Sequence, residues 1–319
     1  MKNTTNKVVV IGAGSVGMSF LYAAINQNLT KHYGIIDLNN ELAYGQKLDL
    51  EDGRGTTATD YIVESGGYEL LNDADLLVIT AGTTRKVGEE IPDLTKNNVK
   101  IMKSIAVQVK ANGFNGITII VASPVDVLAT IYQKITQFKP QKIISSSCVL
   151  DVSRLKLELS KVIEDTSPKD FEIYVIGEHG ILSAPIFSLA TLNGIKLSTL
   201  YDKYNLDDEK LDKIFAEVRK KADKINKRKG ATYYGIGMNV VDIAKAVLRD
   251  EKRILATGAL LSGEFEIEGF YVSIPCLIGK EGIIRTFELE LSKKEKIQFS
   301  NSISALKKTT LNALEIIKN

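Results

Sequence analysis

Only two histidines occur in the 319 residues, and one of them, His179, stands in the run Ile176-Gly177-Glu178-His179-Gly180. Imidazole can gain or lose a proton between about pH 5 and 8 without a shifted pKa, which makes general acid–base chemistry the natural use of such a residue. It needs a partner that orients the ring. Upstream, an acid and an arginine stand three apart in Val149-Leu150-Asp151-Val152-Ser153-Arg154. At the start of a helix this spacing places both on one face. Asp151 can then orient His179 and hold it protonated, leaving the planar guanidinium of Arg154 to grip a carboxylate through two parallel hydrogen bonds.

A second motif supplies a redox partner for that proton chemistry. Gly12-Ala13-Gly14-Ser15-Val16-Gly17 is a GxGxxG that follows the apolar run VVVI and opens a helical pattern through Met18, Leu21, Ala24 and Ile25. A second strand ends at Asp37, about 20 residues past Gly17, which completes the dinucleotide fingerprint. Gly12 permits the tight turn, Gly14 lets backbone approach a pyrophosphate, and Gly17 brings helix and strand together. The helix N-terminus offers unpaired N–H groups to the anion. Asp37 would accept hydrogen bonds from ribose hydroxyls and repel a 2′-phosphate, while Leu38, Asn39 and Asn40 supply no cation. The expected cofactor is therefore NAD rather than NADP. Hydride transfer to a ketone needs a proton donor for the oxygen, and a keto acid also needs a partner for its carboxylate; His179, Asp151 and Arg154 meet both needs.

The elements that position these groups follow from periodicity. β-Branched runs at Val8–Ile11, Tyr33–Ile36, Leu76–Thr80, Ile117–Ala122 and Lys142–Ile144 alternate with helical patterns, one of which carries Val99, Met102, Ala106 and Val109 on a single face. Alternation of this kind predicts a doubly wound parallel sheet. Beyond Cys148 helices lengthen and strands thin out: Leu211, Ile214, Val218 and Ile225 form one stripe, Ala231–Arg249 a second helix, and Ile303, Leu306, Leu314 and Ile317 a third. The fold class expected is α/β, with an N-terminal Rossmann-type domain over residues 1–147 and a C-terminal α+β substrate domain over 148–319. No repeat or low-complexity linker separates them, so the halves should pack closely. The basic run Lys224–Lys229 ahead of Gly230 reads as cations at a helix C-terminus rather than as a phosphate site.

Composition narrows the function classes. Hydrophobic residues make up 44% and charged residues 25%, as in an ordinary globule, and 41 basic against 39 acidic residues give a net charge of +2. That balance offers no field for a nucleic acid. Cys148 and Cys276 form no ligand pair and sit in apolar company, so they are expected to be buried and reduced. No run is long and apolar enough to span a membrane, and Met1–Lys7 lacks a signal-peptide core. A cytoplasmic protein without a metal site is expected.

Taken together, GAGSVG (12–17), IIDLN (35–39), DADLLVITAG (73–82), the Pro124–Val127 run, LDVSR (150–154), IGEHG (176–180) and GATYYGIGM (230–238) resemble the lactate/malate dehydrogenase family over essentially the whole chain, the last motif being nearer the lactate branch. The resemblance implies a two-domain NAD enzyme, a homotetramer or homodimer, that interconverts 2-keto acids such as pyruvate with L-2-hydroxy acids. By that likeness His179 is the proton donor and acceptor, Asp151 its orienting partner, Arg154 the carboxylate binder, and Thr232 a residue beside the substrate side chain. Gly12, Gly14, Val16, Gly17, Asp37, Gly82 and Ser123 fall at cofactor positions. His32 keeps a structural reading.

The likeness also exposes departures. The loop Ala81–Pro92 should close over the substrate, with an arginine six residues after the specificity position to polarise the carbonyl; that place holds Ile91. The specificity position is Arg85, where the lactate branch has glutamine and the malate branch arginine, so a dicarboxylate is an alternative substrate. Arg85 or Lys86 could also swing to the carbonyl of a monocarboxylate. A further alternative is a weakly active or non-catalytic NAD-binding relative. Ser123 replaces an asparagine that contacts the nicotinamide ribose and substrate, Ser145 and Ser147 replace glycines, and Ile181 replaces an acid. Lys156 and Leu189 stand where activation by fructose 1,6-bisphosphate would call for arginine and histidine, so weak or no activation is expected.

Overall fold

Apolar runs of four or five residues with no polar alternation can be satisfied only as strands covered on both faces. The computed structural model describes residues 6–83 and 91–318, with 91–93 described through the backbone alone. Its first half contains β1 (Lys7–Ile11), α1 (Ser15–Asn26), β2 (His32–Ile36), α2 (Asn40–Asp52), β3 (Ile62–Ser65), β4 (Leu76–Ile79), α3 (Ile91–Ala111), β5 (Ile117–Ile120), α4 (Val125–Thr136) and β6 (Ile143–Ser145). Then follow α5 (Val149–Val162), β7 (Phe171–Ile176), β8 (Ala184–Leu192), β9 (Ile195–Lys196), α6 (Tyr201–Tyr204), α7 (Asp208–Lys229) and α8 (Tyr234–Leu248). The chain closes with β10 (Arg253–Ser262), β11 (Glu268–Gly279), β12 (Gly282–Thr286) and α9 (Lys293–Lys318).

All residues of β1, β4 and β5 are buried. The strands β3-β2-β1-β4-β5-β6 lie in that order and run parallel. Order reverses between β1 and β4, and the crevice outside the carboxyl ends at such a switch point is where doubly wound sheets hold a dinucleotide. Beyond β6 the sheet continues with antiparallel β10, β11 and β12, joined through the single pair Gly258–Ser145. β7, β8 and β9 form a separate antiparallel sheet.

The expected α/β architecture is thus present, with differences at its edges. β3 was not among the expected strands; only Val63 of its four residues is buried, so its sequence carries little apolar signal. The helix expected over Ala231–Arg249 starts at Tyr234, and Ala231–Tyr233 lie before it. The α3 stripe of Val99, Met102, Ala106 and Val109 is fully buried. At the end of α7 the cations Lys227, Arg228 and Lys229 precede Gly230, whose φ of +87° stops the helix. One apolar core includes side chains from both halves of the chain. Both cysteines are buried and unbridged. No described helix is long and apolar enough to cross a membrane.

Candidate active site

At the β1–α1 turn, Gly12 adopts φ +114° and a side chain there would lie 2.7 Å from the Ala81 backbone nitrogen. A Cβ on Gly17 would lie 2.1 Å from the Gly12 carbonyl oxygen, which fixes the close approach of helix to turn. Gly14 faces open space and caps α1 without a side chain, so the first N–H groups of the helix point outward unobstructed. Asp37, at the end of β2, accepts the Ala13 N–H (2.7 Å) and the Asn39 N–H (2.9 Å) through its two oxygens. Each oxygen keeps a lone pair for a ribose hydroxyl. Leu38 beside it is 98% exposed and uncharged. This cradle suits a dinucleotide without a 2′-phosphate.

The candidate catalytic side chains arrive from two other elements. Asp151 and Arg154 occupy the first turns of α5 and are both buried. His179 follows β7, in a loop held from two sides. The Gly177 N–H donates to the Ser273 carbonyl of β11 (2.9 Å), and the Glu178 N–H donates to Ser302 Oγ of α9 (2.7 Å). Gly177 adopts φ +89°, and a Cβ there would lie 2.4 Å from Ser302 Oγ, so only glycine lets α9 come this close.

Held in this way, His179 Nδ1 lies 2.6 Å from Asp151 Oδ2, while Asp151 Oδ1 lies 3.7 Å from Arg154 Nη1. The Asp151 charge is the main cause that raises the imidazole pKa above its ordinary value; burial and Arg154 oppose it. With Nδ1 bonded to the carboxylate, Nε2 is left to exchange a proton. Burial lowers the Arg154 pKa from its ordinary value, with Asp151 opposing.

A cavity of about 340 Å³ joins the two motifs: Val16, Gly82, Ser123, Arg154, His179 and Thr232 all line it, together with Leu150, Asn226 and Ile236. Gly12, Gly14, Gly17 and Asp37 lie along the cofactor turn outside that lining, and Asp151 stands behind the histidine. The two halves of the expected chemistry, far apart in sequence, thus share one chamber. The chain belongs to the lactate/malate dehydrogenase family. The model of that family's NAD binding domain matches residues 6–145 and the model of its alpha/beta C-terminal domain residues 148–316.

Among family members, an L-lactate dehydrogenase of Mycoplasma mycoides subsp. mycoides SC is 43% identical over 310 residues, covering 97% of each chain. The minor L-lactate dehydrogenase of Enterococcus mundtii in its ligands-bound form superposes with a TM-score of 0.94 at 33% identity, covering 97% of this chain and 99% of that one. A malate dehydrogenase from Picrophilus torridus is more distant in sequence, 26% identical, covering 99% of each chain, with a TM-score of 0.92. NAD is the family's cofactor, and the cradle described above fits it.

Arg85 and Lys86 lie outside the described residues, as does the side chain of Ile91. His32 lies away from the chamber, with Nε2 2.6 Å from Glu64, in keeping with a structural role. Two further residues that line the cavity escaped the sequence reading. Asn98, buried on α3, accepts from Thr83 N (2.7 Å) and donates to the Ser123 carbonyl (2.7 Å), tying the lip of the loop to the cavity wall. Its one sequence signal is a polar residue beside the apolar stripe. Asn226 accepts from Thr232 Oγ1 (3.2 Å) at the cavity wall, a contact that periodicity does not encode.

Proposed function

We propose that the protein is an NAD-dependent L-2-hydroxy acid dehydrogenase of lactate type that interconverts a 2-keto acid such as pyruvate with its L-2-hydroxy acid. The observation that carries this is the chamber in which Asp151-backed His179 and Arg154 face the cofactor turn. Arg154 binds the substrate carboxylate, which fixes the carbonyl before His179. When the cofactor is bound, reduced nicotinamide supplies hydride to the carbonyl carbon. His179 Nε2 gives its proton to the carbonyl oxygen, and the charge lost from the ring is the one Asp151 had stabilised. In the oxidative direction neutral His179 takes the hydroxyl proton. Thr232 borders the substrate side chain, and Ser123 the region between substrate and nicotinamide. Val16 and Gly82 flank the cofactor, with Gly12, Gly14, Gly17 and Asp37 along its pyrophosphate and ribose.

Relatives named L-lactate dehydrogenase support a small monocarboxylate, while Arg85 supports a dicarboxylate such as oxaloacetate. Steady-state NADH oxidation with pyruvate, oxaloacetate and a branched keto acid separates the readings. Pyruvate is expected to be turned over best, and Arg85→Gln to lower the ratio of oxaloacetate to pyruvate turnover. Loss of NADH with no member of the panel would leave a non-catalytic NAD-binding relative.

The labour divides between residues 1–147 for the cofactor and 148–319 for the substrate. A homodimer or homotetramer is part of the same reading. α2 buries only Ala43, and Tyr44 and Leu48, four apart on one face, are 50% and 44% exposed. Apolar exposure on a helix that the monomer does not cover suits a second copy of the chain. A monomer mass in sedimentation would remove that assignment. Reduced, buried thiols support a cytoplasmic location.

A further inference from the structure

His179 borders two cavities. Besides the substrate chamber, it lines a smaller one of about 170 Å³ shared with Asp126 and Glu178. Asp126, in the first turn of α4, is only 2% exposed. The mechanism above gives it no task. A buried carboxylate is costly unless its oxygens are satisfied, and among the described residues no lysine or arginine pairs with it. Its side-chain partners are two hydroxyls: Ser145 Oγ donates to Oδ1 (2.6 Å) and Ser147 Oγ donates to Oδ2 (2.8 Å).

The surrounding backbone is shaped to keep this arrangement. Ser145 is the β6 residue that pairs with Gly258 of β10, and a Cβ on Gly258 would lie 2.3 Å from Asp126 Oδ1. Ser147 holds φ +34°, in the region where glycine is at ease and other residues are strained. A strained serine whose hydroxyl is spent on a buried acid points to a function for that acid.

We propose that Asp126, gripped by Ser145 and Ser147, is a second carboxylate acting on His179, and that all three are positioning residues for its proton transfer. This rests on the dehydrogenase reading for its consequence in turnover, though not for its direct test. Burial raises the Asp126 pKa to about 6, while both serine hydroxyls, the His179 charge and the His179 backbone N–H pull it down. Two hydroxyls donating to its two oxygens is the arrangement that an anion accepts. Asp126 joins Asp151 in raising the His179 pKa, against Arg154 on α5. Glu178 also faces Asp126 and is itself pushed up, mainly by burial. The remaining titratable neighbours, Cys148 and Cys276, are pushed far enough upward to remain neutral thiols.

The chain's two histidines make a direct test practical. In ¹⁵N-histidine-labelled protein, NMR titration follows both imidazoles, with His32 as internal reference. Asp126→Asn should lower the His179 midpoint by on the order of one unit, the scale for one opposite charge nearby. The Ser145→Gly/Ser147→Gly double variant should lower it by a smaller amount, and His32 should not move. The alkaline limb of keto-acid reduction should shift in the same direction. If Asp126→Asn fails to fold, Ser147→Gly decides alone, since its backbone conformation is one that glycine prefers. An unmoved His179 midpoint in the folded variants would overturn the proposal. A lowered midpoint in a protein whose parent reduces no keto acid would uphold it and remove the dehydrogenase reading instead.

Discussion

The imidazole of His179 has its proton affinity set by Asp151, and that pairing makes the reaction's pH dependence directional. Because the Asp151 charge raises the His179 pKa, the imidazolium needed for keto-acid reduction persists above the ordinary histidine pKa and is lost as pH rises through the raised value. Reduction should fall along that limb, and oxidation of the hydroxy acid, which needs neutral imidazole, should rise along it. Asp151→Asn removes the main raising cause. Its limb should move to lower pH and kcat for reduction at neutral pH should fall on the order of 10²- to 10⁴-fold, the range for losing general acid catalysis; pH profiles in both directions check this. An unmoved limb would mean that Asp151 only packs. The triad of His179, Asp151 and Arg154 was legible in the sequence because residue type and a three-residue helical spacing carry its chemistry. Asn98 and Asn226 were not, since their partners Ser123 and Thr232 come near only after folding.

At the level of elements, the first βα unit was equally legible. Each glycine of the turn answers to a specific close approach, such as the 2.1 Å that would separate a Gly17 Cβ from the Gly12 oxygen. β3 was missed for a physical reason: an edge strand with one buried residue needs no apolar alternation. The start of α8 was set too early because Ala231–Tyr233 continue its composition while Ala231 and Thr232 serve the cavity wall. α3 presents a different question, since it begins at Ile91, where the family likeness calls for a cation. If the missing charge limits the chemistry, Ile91→Arg should raise kcat on the order of 10²- to 10³-fold, the scale of one transition-state electrostatic contact. Stopped-flow single turnovers would separate that gain from faster product release. A kcat no higher than the parent's would mean that another group polarises the carbonyl.

For the whole molecule, the proposed catalysis depends on two motif sets from opposite halves of the chain meeting at one cavity. The core that includes side chains from both halves and the sheet that runs on from β6 into β10 hold them in register. Sequence periodicity predicted the parallel sheet; it did not predict that strands from the C-terminal half would extend it, because antiparallel pairing through one residue pair leaves no pattern. Asp37 should give the molecule a preference for NADH over NADPH, visible as a higher kcat/KM with the unphosphorylated cofactor. The central claim is that this assembly moves a proton through His179 as hydride reaches a 2-keto acid. The most direct measurement is steady-state NADH oxidation with pyruvate by the parent protein and His179→Asn. The parent should turn over, and the variant should lose on the order of 10²- to 10⁴-fold in kcat while still binding NADH. A variant as fast as the parent would contradict the account.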